Sequence, residues 1–396
     1  MSWEEKKLSD CCISIADGDH QAPPKADSGI PFVTISNINI NANNQFDFTN
    51  TMFVPQAYYD SLDNKRKAQN GDVLYSVVGS FGIPVYIKET VPFVFQRHIA
   101  ILRPNDTILP QFLYYTMLSR DFYMMADAAA LGAAQRTISL TALRNMKISV
   151  PPMDVQEKIV GVLSAYDDLI ENNQKQIKLL EEAAQRLYKE WFVDLRFPGH
   201  ETSPIVDGVP EGWKVRSLTE VANVVMGQSP KSEFYNREGK GLPFHQGVGS
   251  FGARFVIDST YSTSFTRIAE AGSILFSVRA PVGRLNITKN KVVIGRGLAA
   301  INHRAGKQSY LFYLLKERFF KDDIIGNGAI FASISKDELL GQKFMVPTDE
   351  IVDRFDAIVR DIDRKIAGLA DQIILLTEAR DRLLPKLMSG EIEVSS

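Results

Sequence analysis

Cysteine is nearly missing from this chain: of 396 residues only Cys11 and Cys12 carry a thiol, and they are adjacent. Neighbouring cysteines rarely bridge and cannot build a zinc site alone, so a disulfide framework is excluded and reduced thiols in a bacterial-type cytoplasm are expected. Histidine is also scarce, and His20, His98, His200, His245 and His303 are scattered without the spacing of metal ligands. No run approaches the roughly 18 uninterrupted apolar residues a membrane span needs. The start, Met1-Ser2-Trp3-Glu4-Glu5-Lys6, lacks a basic segment followed by an apolar one, so no secretory leader is expected.

Catalytic signatures are missing too. There is no G-x-x-x-x-G-K-[ST] phosphate loop, so ATP hydrolysis by this chain is not expected. Neither an Asn/Asp-Pro-Pro-aromatic nor a Pro-Cys methyltransferase loop occurs, because Pro151-Pro152 is preceded by Val150 and followed by Met153. Gly247-Val248-Gly249-Ser250-Phe251-Gly252 matches G-x-G-x-x-G literally. The next residues, Ala253-Arg254-Phe255-Val256-Ile257, read as a strand rather than the helix a dinucleotide site requires, so a glycine turn is expected. These absences point to a chain with no catalytic residues, metal or cofactor of its own.

What is present is a duplication. Asn70-Gly71-Asp72-Val73-Leu74-Tyr75-Ser76-Val77 returns as Ala271-Gly272-Ser273-Ile274-Leu275-Phe276-Ser277-Val278. Phe112-Leu113-Tyr114-Tyr115 returns as Tyr310-Leu311-Phe312-Tyr313, and Val150-Pro151 as Val346-Pro347. The offset falls from 210 at Trp3/Trp213 through 201 at Gly71/Gly272 and 199 at Arg97/Arg296 to 196 at Val150/Val346. Most of the length difference therefore lies in loop-rich sequence before the Gly71 anchor. Two modules with one framework and different loops should recognise two different things.

Each module reads as mixed strand and helix. Ile30–Ile35, Val73–Val78, Ile274–Val278 and Lys291–Ile294 are β-rich runs, while Gln111–Ser119 and Tyr310–Phe320 are helical and free of Gly and Pro. Without a regular βαβ alternation, the fold class is α+β. A long amphipathic helix follows each copy. The first has Asp154 as candidate cap and apolar positions at Val155, Ile159, Val162, Tyr166, Leu169 or Ile170, Ile177, Leu180, Ala184, Leu187 and Trp191. Asn173 falls in that seam, where a polar residue costs stability and can fix register, and the step to Ile177 breaks the strict heptad. The second, capped by Thr348 or Asp349, uses Ile351, Phe355, Ile358, Ile362, Ile366, Leu369, Ile373, Leu376, Leu383 and Leu387. At 1.5 Å per residue the first rod is roughly 55 Å long. Two such rods most simply pair as a long antiparallel two-helix coiled coil with a module at each end. The expected organisation is residues 1–151, module one; 152–193, helix one; 194–209, linker; 210–347, module two; 348–390, helix two.

Charge is distributed unevenly beneath a net of −2. Residues 208–347 carry 19 Lys/Arg against 11 Asp/Glu, residues 1–150 carry 13 against 14, and the first rod (154–190) carries 5 against 8. A basic second module suits a polyanion. Candidate DNA contacts are Lys25, Ser80, Gln96, Arg97, Gln135 and Arg136 in the first module, and Lys231, His245, Gln246, Arg279, Arg284 and Arg296 in the second. Glycine-bearing loops let backbone amides approach phosphates, Arg can grip guanine, and Gln suits adenine. On the rods, Glu171, Asn173, Glu181, Glu182 and Trp191 are the candidate contacts to partner subunits.

Several strings carry a resemblance. Val150-Pro151-Pro152 leads into Gln156-Glu157-Lys158-Ile159-Val160, then Leu187-Tyr188-Lys189-Glu190-Trp191-Phe192-Val193-Asp194-Leu195-Arg196-Phe197-Pro198-Gly199. Val209-Pro210-Glu211-Gly212-Trp213 opens the second copy, and Arg382-Leu383-Leu384-Pro385-Lys386-Leu387-Met388-Ser389-Gly390-Glu391-Ile392 ends it. Over essentially its whole length the chain resembles the specificity (S) subunit of type I restriction-modification systems. The resemblance implies two target-recognition domains, each reading half of a bipartite double-stranded DNA target, with conserved helices setting the spacer. It also implies two modification subunits that use S-adenosylmethionine to methylate adenine N6, and restriction subunits that use ATP and Mg. Two rivals stand beside it: a fused methyltransferase, which the missing loops disfavour, and a non-DNA protein-interaction scaffold built on paired helices.

Overall fold

A computed structural model describes residues 3–18, 22–39, 44–132, 136–319 and 333–394. The chain divides into two compact units, Met1–Gln176 with Leu369–Ser396, and Ile177–Gly368. Both long helices cross this division, so each unit joins one module to a stretch of each helix.

In the first unit an antiparallel sheet runs Cys12–Asp17, Ile99–Pro104, Val73–Ser76 and Pro84–Tyr86 in spatial order. A second sheet places Ile30–Val33 between Met52–Val54 and Val94–Phe95, the latter parallel to it. Burial on both faces explains the unbroken apolar runs: all four residues of Val73–Ser76 are buried. A ribbon of Glu4–Lys7 against Lys147–Val150 closes the module and leads directly into the first long helix.

The second unit repeats this plan. Its sheet runs Ala222–Met226, Leu298–His303, Ile274–Ser277 and Leu285–Ile287, and Leu242–His245 lies parallel to Val292–Ile294 as Ile30–Val33 does to Val94–Phe95. The closing ribbon is Lys214–Ser217 with Lys343–Val346. The module helices are Pro110–Leu118 and Gln308–Phe319, close to their expected bounds.

The long helices are Met153–Tyr188, extended by one π-helical turn at Lys189–Val193, and Asp349–Met388. The first begins two residues earlier than a cap at Asp154 would place it. Pro152 O accepts from the amides of Val155 and Gln156, so Asp154 lies inside the first turn and does not cap it.

Within each unit the two helix stretches run antiparallel beside the module helix. In the first, Ile159, Val160 and Leu163 share a core with Leu384, Leu387 and Phe112. In the second, Ala184, Tyr188 and Trp191 meet Ile351, Phe355, Val359 and Tyr310. Each large side chain so buried contributes about 1.5–3 kcal/mol.

Which helix face is buried differs from the heptad reading. Val359 is fully buried and Ile358 is 47% exposed, whereas on the first helix Ile170, one of the two positions expected in the seam, is buried and Leu169 is exposed. The module helix packs on the pair as a third element, so each long helix buries a wider stripe than a two-stranded seam, and the stripe drifts accordingly.

Candidate nucleic-acid interface

The loops after the anchor strands are built by two buried serines. Ser76 Oγ accepts from Ile83 N at 2.9 Å, and Ser277 Oγ accepts from Arg284 N at 2.8 Å while donating to Pro281 O at 2.6 Å. Gly82 N and Gly283 N donate to Ser76 O and Ser277 O. These contacts hold Ser80 on one loop and Arg279 and Arg284 on the other.

A second pair of loops lies against the first. Gln96 N donates to Val33 O and Val77 N to His98 O; at the equivalent places Gly295 N donates to His245 O and Val278 N to Gly297 O. A close approach at a strand end locks each arrangement. A Cβ on Gly18 would meet Phe95 O at 2.1 Å, and one on Gly227 would meet Gly295 O at 2.1 Å, so both positions require glycine. The two modules thus share one backbone frame down to individual hydrogen bonds.

The side chains on that frame differ. In the first module an open cleft of about 490 Å³ is lined by Thr34, Ile35, Ser36, Ile38, Ser80, Ile83, Gln96 and His98. It brings Ser80 and Gln96 together, with Arg97 exposed beside them. Burial lowers the His98 pKa, and the Arg97 charge lowers it further, which favours the neutral ring. Arg136 joins through its backbone, where its carbonyl accepts from Gly79 N, while its guanidinium is engaged by the carbonyl and carboxylate of Asp127. Lys25 is exposed but does not line the cleft, and Gln135 lies outside the described residues.

In the second module Ser229 is the connector. Its hydroxyl donates to Gln246 Oε1 at 2.7 Å and accepts from Arg296 N at 3.2 Å, which brings Gln246 and Arg296 together. Arg296, Arg279 and Lys231 are exposed, and Arg284 is half-buried.

His245 corrects the sequence reading. It has no exposed surface: Nδ1 lies 2.9 Å from Ser250 Oγ and Nε2 3.1 Å from Asp258 Oδ1. It pins the glycine loop from beneath and cannot touch DNA. That loop forms a short 3-10 turn at Val248–Ser250, and the residues after it make isolated bridges, Phe251 with Val256 and Phe255 with Ile287, rather than the expected strand or a helix.

The helix residues chosen as partner contacts need correction as well. Asn173 is 6% exposed and donates to Gln372 Oε1 at 3.2 Å within the pair; Trp191 is 7% exposed and packs on Phe192 and Phe355. Glu171 pairs with Lys88 at 2.5 Å and Lys175 at 2.8 Å, and Glu181 lies 3.5 Å from Arg254. Burial pushes the Glu171 carboxyl up, but hydrogen bonds from Lys175 and Lys88 prevail and hold it below the usual range. Asn173 and Trp191 are thus buried within the chain, whereas Glu171, Glu181 and Glu182 are partly exposed and answer cations of their own unit, Glu182 lying beside Arg186.

The sequence reading missed Thr34, Ser36 and His98. The available signal was positional: Thr34 follows the strand equivalent to the one Gln246 follows, and His98 sits one residue beyond Arg97. The parallel strand pairing that assembles them is non-local and left no pattern in the sequence.

The family model for the type I restriction modification DNA specificity domain matches residues 1–182 and, a second time, residues 210–373. The chain belongs to that family. As a type I specificity subunit it recognises DNA sequence, and the double match coincides with the repeated backbone frame. It is 30% identical over 407 residues to the putative type I restriction enzyme MjaX specificity subunit of Methanocaldococcus jannaschii, spanning all of this chain and 94% of that protein. The MjaIX specificity subunit of the same organism is 27% identical over 307 residues, 74% of this chain and 71% of that one. The type I restriction-modification S subunit from M. genitalium has a similar fold, with a TM-score of 0.59 at 16% identity over 97% of this chain and 96% of that one. Among the described residues of this specificity subunit no helix is long and apolar enough to cross a membrane, and no cluster of His, Cys, Asp and Glu could hold a metal ion.

Proposed function

We propose that the two modules read the two halves of a bipartite DNA target, with the paired helices setting the number of unread base pairs between them. The observation that carries this reading is the shared backbone frame with unlike side chains. Where the first module presents Thr34, Gln96 and His98, the second presents Gln246 and the glycines 295 and 297, and both keep an arginine at Arg97/Arg296. One frame supplies the same seat against a duplex, with exposed Arg and Lys and loop amides taking phosphates and the variable side chains selecting base edges. The surplus of cations in the second module supports a stronger phosphate grip there than in the near-neutral first.

The chemistry lies elsewhere in this reading. The chain is non-catalytic and binds no cofactor. Two modification subunits bring S-adenosylmethionine and methylate adenine N6, and restriction subunits bring ATP and Mg, in the cytoplasm. The test is exchange of residues 1–150 for another member's module, with sequencing of methylated adenines in a host carrying the complete system. One half-site should change and the other stay. Alteration of both halves would sink the modular account, and a duplex shift by the methyltransferase complex that persists without this chain would favour a mere scaffold.

A further inference from the structure

Each module meets its helices at a buried tyrosine beside an aspartate, at equivalent repeat positions; Asp167 is buried and Asp363 is one-fifth exposed. In the first unit the Tyr115 hydroxyl donates to Asp167 Oδ2 at 2.7 Å; in the second, Tyr313 and Asp363 occupy the same places, 198 and 196 residues later. A buried carboxylate needs a cation, and the units obtain theirs differently. In the first unit it comes from the second long helix: Arg380 Nη1 lies 2.7 Å from Asp167 Oδ1, with both side chains about one-tenth exposed.

In the second unit the helix position equivalent to Arg380 is Ala184, fully buried and without charge. The equivalence is supported by Leu384 and Leu387, whose counterparts Tyr188 and Trp191 are buried in the same way. The cation there is Arg254, which comes from the module. It lies 2.5 Å from Asp363 Oδ1 and 3.5 Å from Glu181, with its guanidinium 3.7 Å from the centre of the Phe312 ring, and is 5% exposed. Its segment comes directly after the glycine loop pinned by His245. Arg254 O accepts from Ile287 N, and Gly252 O accepts from Asn286 Nδ2.

We infer that Arg254 is a positioning residue that seats the second reading module on the paired helices, so the two module seats are not interchangeable. The first seat carries the cation for its buried Asp167 in the helices, as Arg380, and its module adds only the half-exposed Lys88, which pairs with Glu171 and Asp168. The second seat holds two carboxylates, Asp363 and Glu181, and requires the module to bring a guanidinium. A module lacking it leaves two partly buried carboxylates, Asp363 one-fifth and Glu181 under one-third exposed, without their cation, and sits loosely. The inference rests on the reading that the helices set the spacer.

The test uses the complete methyltransferase complex with Arg254→Ala, and with Arg254→Ala/Ala184→Arg, which moves the cation to the first unit's arrangement. Methylation is measured on duplexes with the native spacer and with spacers one base pair shorter and longer. Arg254→Ala should reduce the preference for the native spacer by roughly two- to thirtyfold, the size of effect expected when a coupling contact is lost, and the double variant should restore it. A purely stabilising residue would lower methylation on all three duplexes equally. Undiminished spacer preference in Arg254→Ala, no recovery in the double variant, or failure of both to assemble would overturn the inference. Lack of spacer preference in the unmodified complex would instead sink the spacer reading. Hydrogen exchange then decides: the amides of Val256 and Ile287 should exchange faster in the single variant and recover in the double.

Discussion

Replacing Arg380 with methionine should cost the first unit about 3–4 kcal/mol. Arg380 and Asp167 are each about one-tenth exposed and meet at 2.7 Å, so the substitution takes the guanidinium from a buried carboxylate to which the Tyr115 hydroxyl still donates. Burial, and next the Asp167 charge, raise the Tyr115 pKa well above its ordinary value, so the hydroxyl stays a donor but cannot replace a positive charge. Breaking a buried pair by removing one partner costs about 3–5 kcal/mol. The second contact of Arg380, to the half-exposed Asp381, contributes at most about 1 kcal/mol. For a unit near 200 residues this corresponds to a fall in Tm of roughly 6–16 °C. The assay is thermal unfolding of the full chain, together with protease susceptibility of the first unit. Removing both charges in Arg380→Met/Asp167→Leu should recover part of the loss, because no buried charge is left. A single variant within about 1 kcal/mol of the unmodified chain, or a double variant worse than the single, would refute the reasoning.

Three further outcomes are expected. Gln96→Ala should relax one position of a single half-site by about 1–3 kcal/mol in competition binding, with the other half unaffected. Gly227→Ala should displace the Gly295–Gly297 loop, because the added Cβ would meet a carbonyl oxygen at 2.1 Å, and should weaken DNA binding more than overall stability. His245 is buried, which lowers its pKa from 6.5 despite the opposing Asp258. The unfolded chain then binds more protons on acidification, so the His245 contribution is present above about pH 6.5 and fades as the pH falls through the depressed folded value. His245→Asn should flatten part of that acid loss in thermal melts at pH 7.5 and 5.5, with His98 and His303, both also lowered chiefly by burial, supplying the rest.

Much of the architecture was legible because it is periodic or repeated. The anchors at Gly71/Gly272 and Phe112/Tyr310 lie on matching elements, and the two apolar stripes became continuous helices. The candidate interface was legible only in part. Ser80 and Gln96 converge, as do Gln246 and Arg296, but His245 proved to be buried support. A polar residue beside an exposed one in sequence points to the opposite face of a strand, and sequence alone does not say which face is covered.

By itself, then, the sequence determined that there are two copies of one α+β framework, each followed by a long amphipathic helix, with divergent loops between matched anchors. Local patterns suffice for that, since strand and helix periodicity and turn chemistry are written in neighbouring residues. Only the tertiary structure decided where the cations go. Lys88 answers Glu171 across 83 residues, Arg380 reaches Asp167 across 213, and Arg254 meets Asp363 across 109. Such pairings depend on which buried charges the packing brings together, and a carboxylate removed from water must find its partner wherever in the chain that partner lies.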